Sequence, residues 1–199
     1  MKLYFTRHGH TPWNEEKIIQ GSKDIELSTK GIKQAHELAD SLSNGEFNIS
    51  RIYTSPLKRA ELTAKISAIE LDIPFHIMTG LEEINLGDWE GKTWKDVKKN
   101  YSKKFDTWLH NRRLEKSPNG ESYQDLLERV LPAVENIIKD NNLEENILVV
   151  THSAVIMCLQ CLLNQVPFEE MDKYKLGNTE VIRLKTEDIE KAVSLLNVE

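Results

Sequence analysis

Four short apolar runs, separated by stretches with a helical spacing of apolar residues, most constrain how this chain can fold. Each run has the length of a β-strand, whereas the stretches between them repeat apolar residues every three to four positions. Strands that alternate with helices build a parallel sheet with helices on both faces. We therefore predict an α/β fold, a three-layer sandwich in which helices flank a mostly parallel central sheet. The strands are predicted at residues 3–6, 51–54, 75–78 and 147–151, with an antiparallel edge strand at residues 181–184.

Capping residues mark where three of the helices begin. Ser28 or Thr29 precedes one amphipathic stretch, and Ser122 precedes another. Their hydroxyl oxygens can accept hydrogen bonds from the free amides of a first helical turn. Ser55 is followed by Pro56, so we predict a third helix with Ser55 as its cap and proline in its first position.

Composition excludes several classes of function. The 199 residues are enough for one domain with a hydrophobic core, which we predict over residues 1–199. The net charge of −6 argues against general nucleic-acid binding, which needs a basic surface, and no apolar run approaches the length of a membrane span. The two cysteines, Cys158 and Cys161, lack a second pair with which to form a zinc site. We expect buried thiols in a protein of the reducing cytoplasm.

Two of the predicted strands deliver a histidine to the same edge of the sheet. Arg7 and His8 follow the first strand, and His152 follows the fourth. Because ligands of such sheets bind at the carboxyl ends of the strands, we expect these side chains to converge on one site. A neutral imidazole beside a cation can attack a phosphoryl group without a metal ion if a hydrogen bond fixes its tautomer. Gly9 would let the backbone approach a phosphate closely.

Four segments in a fixed order carry a resemblance to a known family. They read RHGHTPWN from residue 7, YTSPLKRA from residue 53, EEINLGDWEG from residue 82 and VVTHS from residue 149. Together they resemble the motifs of the histidine phosphatase superfamily, which includes phosphoglycerate mutases and acid phosphatases. The resemblance spans most of the chain and implies phosphoryl transfer through a phosphorylated histidine.

The resemblance also implies a role for each matching residue. His8 would be the nucleophile, and Glu83 would donate a proton to the leaving group. The match assigns this role to Glu83, whereas the residues alone do not separate it from Glu82. The other matches are the phosphate ligands Arg7, Arg59 and His152, and the residues Asn14, Gln20 and Gly21, which would contact the phosphate or line its pocket.

Some expectations concern the surroundings of the phosphate. Arg59 lies near the start of a predicted helix, whose amide-rich end suits an anion. His10 stands where relatives often carry Glu, Gln or Ser, and Ser153 stands where glycine is common. Both adjoin the expected pocket, so we expect them to influence substrate choice, with Ser153 among the substrate-binding residues.

The motif around Glu83 indicates which reaction the chain performs. Phosphoglycerate mutases are longer and carry Arg-His-Tyr-Gly after this glutamate, whereas residues 84–87 here read INLG. Residues 88–91, DWEG, resemble broad-specificity and alpha-ribazole phosphate phosphatases. We therefore predict a metal-independent phosphatase of the histidine acid phosphatase type, with no cofactor, that hydrolyses a small phosphorylated metabolite through a phosphohistidine. The alternative is cofactor-dependent phosphoglycerate mutase activity.

Residues 92–121 are basic and rich in aromatic residues, and we predict a helical, lid-like segment over the site. This segment could favour a substrate with a second anionic group or a ring. The more ordinary interpretation is two amphipathic helices whose aromatic side chains pack inward. Two rival functions remain, a metal site that uses His8 and His10 and a phosphate-binding module without catalysis. The oligomeric state does not follow from the sequence, and a dimer is compatible with it.

Overall fold

Five strands form one sheet in the computed structural model, which describes residues 1–142 and 144–196. The predicted domain also includes residues 143 and 197–199, which lie outside the described residues. The strands are β1 (Lys2–Arg7), β2 (Arg51–Thr54), β3 (Phe75–Ile77), β4 (Asn146–Thr151) and β5 (Val181–Leu184). Their order is β3-β2-β4-β1-β5, and all neighbours are parallel except β1 and β5. The predicted α/β fold and antiparallel edge strand are confirmed.

Helices cover both faces of this sheet. They are α1 (Pro12–Glu15), α2 (Thr29–Ser43), α3 (Lys58–Leu71), α4 (Trp94–Asn100), α5 (Ser102–His110), α6 (Tyr123–Lys139), α7 (Ser153–Leu163) and α8 (Thr186–Leu196). Successive side chains of a strand point to opposite faces. In β4, Leu148 and Val150 pack with α2 and α3, whereas Ile147 and Val149 pack with α6 and α7. One core thus lies on each face of the sheet, so the sheet and the helices on its two sides make up the three predicted layers.

The capping residues behave as predicted in two of three cases. Ser28 Oγ accepts a hydrogen bond from the Gly31 amide at 3.2 Å, and Ser122 forms a reciprocal capping box with Asp125. The prediction for Ser55 is wrong, because α3 begins only at Lys58. The Ser55 amide still donates to the Val150 carbonyl at 3.1 Å, so the chain continues the sheet past the end of β2 before it turns.

Trp108, Tyr101 and Phe105 of segment 92–121 pack toward the core, as the more ordinary interpretation expects, whereas Trp94 does so only in part. Trp108 is 1% exposed and packs edge to face against Trp89, with ring centroids 5.3 Å apart. Trp94 stacks on Trp108 at 5.5 Å and remains 40% exposed. The segment is tied to the rest of the chain by an antiparallel bridge between Thr93 and Ile18.

The two cysteines are free, buried thiols of α7, as predicted. Burial raises the pKa of Cys158 well above its usual range and that of Cys161 to about 11. Among residues 1–142 and 144–196, we find no helix that is both long enough and apolar enough to cross a membrane.

Candidate active site

The two central strands bring the predicted histidines together. In the parallel pair β1 and β4, Arg7 lies opposite Thr151, so His8 and His152 leave the sheet side by side. Their ring centroids are 5.3 Å apart. His8 is 2% exposed and His152 is fully buried. The carboxyl edge of the sheet thus holds two imidazoles in contact.

The ring of His8 is fixed in one tautomer. Its Nδ1 lies 2.7 Å from the carbonyl oxygen of Gly9, which can only accept a hydrogen bond, so Nδ1 carries the proton. Its Nε2 keeps the lone pair and accepts a hydrogen bond from Arg59 Nε at 3.3 Å. Burial, followed by the positive charges of Arg59 and Arg7, lowers the pKa of His8 well below its usual value. The imidazole is therefore neutral and nucleophilic at Nε2 at neutral pH.

Arg59 is fully buried and is oriented by two backbone carbonyls. Its Nη1 donates to the Lys23 carbonyl at 2.6 Å and its Nη2 to the Gly21 carbonyl at 2.8 Å. Burial lowers its pKa to about 10, so it remains a cation at neutral pH. The first amide of α3 is not available to a phosphate, because Lys58 N–H donates to Asp24 Oδ1 at 2.7 Å. The expectation that the start of this helix offers free amides to an anion is therefore wrong for the first residue of α3.

His152 and Arg7 supply further donors at the same edge. The Nε2 of His152 lies 2.8 Å from Ser55 Oγ, while its buried Nδ1 has no hydrogen-bond partner within the described part of the chain. Arg7 Nη1 donates to the Leu176 carbonyl at 3.3 Å, and its buried Nε likewise has no partner there. Burial, followed by the charge of Arg59, lowers the pKa of His152 well below its usual value. Arg7 Nε is an N–H donor for an anion at this edge, and His152 Nδ1 is one in the tautomer in which Nε2 accepts from the Ser55 hydroxyl.

Glu83 and Glu82 occupy different surroundings. The carboxylate of Glu83 accepts hydrogen bonds from the Ile84 amide at 3.0 Å and from the Ala154 amide at 3.2 Å, directly after His152 and Ser153. Although the residue keeps some surface exposure, burial of its carboxyl group raises the pKa, against the opposing effect of these hydrogen bonds. Glu82 instead accepts from the Gly80 amide at 2.6 Å. The geometry favours Glu83 as a proton donor beside the histidines.

The predicted pocket residues fall into two groups. Gln20 is 9% exposed, and its Oε1 is buried without a partner among the residues described. Gly21 contributes its carbonyl to Arg59, with a φ of +51° that suits glycine. Asn14 Oδ1 is already used, since it accepts from the Thr11 amide at 3.0 Å. Gly21 thus contacts Arg59, Gln20 precedes it with a buried amide oxygen, and Asn14 Oδ1 belongs to the capping box of α1.

His10 and Ser153 flank the two histidines without sharing their environment. His10 Nδ1 lies 3.0 Å from Ser28 Oγ, and its Nε2 lies 3.5 Å from a carboxylate oxygen of Glu15. Nδ1 of His10 thus contacts the cap of α2 and Nε2 contacts the last residue of α1, which does not fit a metal ion shared with His8. Ser153 is the first residue of α7 and is half-buried.

Comparison with known proteins decides the family. A family model described as histidine phosphatase superfamily (branch 1) matches residues 3–199. The chain belongs to this superfamily. Phosphoglycerate mutase-like protein 4 of Arabidopsis thaliana is 37% identical over 161 residues, which are 79% of this chain and 69% of that protein. The chain also matches fructose-2,6-bisphosphatases, of whose length it spans about a third.

Several solved structures have the same fold as this chain. YhfR of Bacillus stearothermophilus superposes with a TM-score of 0.83 at 34% identity, over 92% of this chain and 90% of that chain. Phosphoserine phosphatase from Entamoeba histolytica, in complex with 3-phosphoglyceric acid, gives a TM-score of 0.80 at 31% identity, over 94% and 91% of the two chains.

An open cavity of about 370 Å³ adjoins the carboxylate of Glu83 in this histidine phosphatase. The side chains around it are mostly polar and include three carboxylates. The lining residues are Ser22, Gly80, Glu82, Glu83, Asn85, Glu121 and Arg129. Three of these lining residues are carboxylates and one is an arginine, so the surface beside Glu83 is acidic.

Sequence reasoning missed three residues that support the site. Thr63 Oγ1 accepts the Gly9 amide at 3.0 Å, and its position one helical turn after Arg59 was a usable signal. Ser55 contacts His152, although its local sequence indicated a helix cap. Asn178 Nδ2 donates to the His8 carbonyl at 2.8 Å from a loop 170 residues away along the chain, and no sequence signal pointed to it.

Proposed function

We propose that this chain is a phosphomonoester hydrolase that acts on a small phosphorylated metabolite through a phosphohistidine at His8. The observation that carries the proposal is the state of His8, a neutral ring whose protonated Nδ1 is held by the Gly9 carbonyl. Its Nε2 lone pair faces the guanidinium of Arg59. This arrangement provides a nucleophile together with a cation for the phosphoryl oxygens.

In the first half-reaction, His8 Nε2 attacks phosphorus in line with the leaving oxygen. The P–O bond breaks, and the leaving oxygen takes a proton from Glu83. Arg7, Arg59 and the Nδ1–H of His152 hold the non-bridging oxygens, where charge accumulates in the transition state. A raised pKa suits Glu83 to this role, because a larger fraction of the carboxyl stays protonated near neutral pH.

In the second half-reaction, water loses a proton to Glu83 and attacks the phosphohistidine. The N–P bond breaks and returns the lone pair to His8 Nε2, which releases inorganic phosphate. The two arginines supply the positive charge that a metal ion supplies in other phosphatases, so each step proceeds with this chain's own residues. We therefore propose metal-independent catalysis of the acid phosphatase type.

Hydrolysis is favoured over mutase activity by the names of similar structures, among them the phosphoserine phosphatase of Entamoeba histolytica. Mutase activity remains the second candidate, because one relative is named phosphoglycerate mutase-like. It would convert 3-phosphoglycerate to 2-phosphoglycerate only in the presence of 2,3-bisphosphoglycerate. Substrate-binding roles for Asn14, Gln20, Gly21 and Ser153 belong to the same proposal.

We also propose that residues 92–121 wall the site within one domain spanning residues 1–199. Two contacts support this: the Lys92 carbonyl accepts the Ile19 amide at 2.9 Å, and Glu121 lines the cavity beside Glu83. The buried thiols of Cys158 and Cys161 fit a reducing cytoplasm. The partner we propose is the phosphorylated metabolite alone, with neither nucleic acid nor membrane involved.

The proposal is tested by hydrolysis of p-nitrophenyl phosphate in EDTA at mildly acidic to neutral pH. We expect activity in the wild type, its loss in His8→Ala, and its retention in the matched control His36→Ala, which removes an exposed histidine of α2 that pairs with Glu70. Activity that disappears only on chelation would contradict the phosphohistidine mechanism. Phosphate binding without turnover would identify a binding module instead.

A further inference from the structure

The loop that carries Glu83 has almost no regular structure of its own. It follows β3 and precedes a single 3₁₀ turn at Gly87–Trp89, so neither a helix nor a strand holds the backbone around Glu83. An acid that must meet a leaving oxygen needs a fixed position, because a displacement of about 1 Å can lower a rate by about 100-fold. Some other group must therefore hold this loop.

Arg129 of α6 supplies most of that constraint. Its Nη1 donates to the carbonyl oxygens of Gly80 at 3.0 Å and Glu82 at 2.8 Å, and its Nη2 donates to that of Glu83 at 2.9 Å. The carbonyl between them, that of Leu81, accepts from Thr151 Oγ1 at 2.7 Å. Four consecutive carbonyls that end at the proposed acid are thus all bound by side chains from other elements.

The guanidinium is itself held in place by Glu121. Arg129 Nε lies 3.0 Å from Oε1 and Nη2 lies 3.0 Å from Oε2, a bidentate pair that fixes the plane of the group. Arg129 Nη1 also lies 3.6 Å from Oε2 of a second carboxylate, that of Glu82. A guanidinium has five N–H groups, and the two carboxylate bonds and three carbonyl bonds account for all five. Arg129 lines the cavity without a free donor for a substrate anion.

We propose that Arg129, oriented by Glu121, is the positioning residue that holds Glu83 in place to protonate the leaving group. This inference rests on the proposed function, in which Glu83 is the acid. Arg129 acts through the backbone of residues 80–83 and does not touch the phosphoryl group. Its loss should therefore impair the protonation step and leave phosphate binding intact.

The experiment compares two substrates that differ in their need for a proton. p-Nitrophenol leaves readily without one, whereas glycerol 2-phosphate has an alkyl leaving group that requires it. We expect Arg129→Met to lower kcat/KM for glycerol 2-phosphate by about 10- to 100-fold and to leave kcat/KM for p-nitrophenyl phosphate nearly unchanged. This ratio reports only the steps up to release of the leaving group, so it excludes the later hydrolysis of the phosphohistidine, in which Glu83 is the base. Inhibition by inorganic phosphate should also be unchanged, and Arg129→Lys should recover part of the loss.

Two further variants keep the test decisive. Glu121→Gln retains Arg129 but weakens the ion pair that orients it, and we expect a smaller loss of activity with the same substrate preference. This variant tests the inference even if Arg129→Met fails to fold. Arg51→Met removes an arginine at the amino end of β2, where it pairs with Glu145 at 3.9 Å, and should show no such preference.

The outcomes separate this inference from the proposed function. If Glu83→Gln shows the leaving-group preference and Arg129→Met does not, Arg129 is not a positioning residue. Equal losses of kcat/KM on both substrates, or weaker inhibition by phosphate, would also overturn the inference. If Glu83→Gln lacks the preference, the proposed acid is wrong. In the Glu83→Gln background, Arg129→Met should cause no further loss with glycerol 2-phosphate, because the acid is already absent.

Discussion

Replacement of Gly21 by alanine should be far more damaging than an ordinary glycine substitution. Gly21 has a φ of +51°, a conformation that costs a non-glycine residue about 1–2 kcal/mol. A Cβ atom there would lie 2.0 Å from Glu90 Oε1. Glu90 is not free to move away, because Oε1 accepts the Ser22 amide at 2.7 Å and the Leu86 amide at 3.0 Å. Relief of the overlap should add about 1–3 kcal/mol, which brings the loss of unfolding free energy to about 2–5 kcal/mol.

Gly45→Ala is the matched control, because Gly45 has a φ of +80° and no atom within 4 Å of the added Cβ. It should lose only the backbone contribution, about 1–2 kcal/mol. Thermal unfolding of both variants should therefore show Gly21→Ala melting about 2–12 °C below Gly45→Ala. Gly21→Ala should also weaken inhibition by phosphate, since the Gly21 carbonyl orients Arg59. Equal melting temperatures for the two variants would refute the steric reasoning.

Two further predictions concern ionisation and tautomer state. With glycerol 2-phosphate, the pH profile of kcat/KM should be bell-shaped. The rate falls at low pH as His8 is protonated through its lowered pKa, and it falls at high pH as Glu83 loses its proton through its raised pKa. Glu83→Gln should remove the alkaline limb, and a limb that persists would assign it to another group. Ser55→Ala should remove the hydrogen bond to His152 Nε2 and reduce the rate on both substrates about equally. In ¹⁵N NMR, His152 of the wild type should carry its proton on Nδ1, whereas the variant should show a mixture of the two tautomers.

The sequence contained enough to predict the sheet and the meeting of the two histidines. Their convergence follows from local signals, since each histidine ends an apolar strand and parallel strands end at one edge. The caps Ser28 and Ser122 were also predictable, because each bonds an amide only three residues further along the chain. Ser55 shows the limit of such signals, because its amide continues to pair with β4 where the local sequence indicates a helix start.

Contacts between distant parts of the chain were not accessible to the same reasoning. Arg129 lies in an amphipathic helix, where an arginine on the polar face is ordinary and does not indicate a function. Its role depends on the loop at residues 80–83, 46–49 residues away along the chain. The choice between Glu82 and Glu83 likewise depended on the amide of Ala154, which only the fold brings near.

The pairing of β1 with β4 limits how proteins of this architecture can change over time. Arg7 lies opposite Thr151, and the histidines follow with no intervening residue. Deletion or insertion of one residue within either strand would turn one imidazole to the opposite face of the sheet. Length changes can therefore accumulate only in the connections, such as residues 92–121 and 164–180, which lie outside β1 and β4. Changes in these connections would leave the register of the two strands, and so the meeting of the two imidazoles, intact.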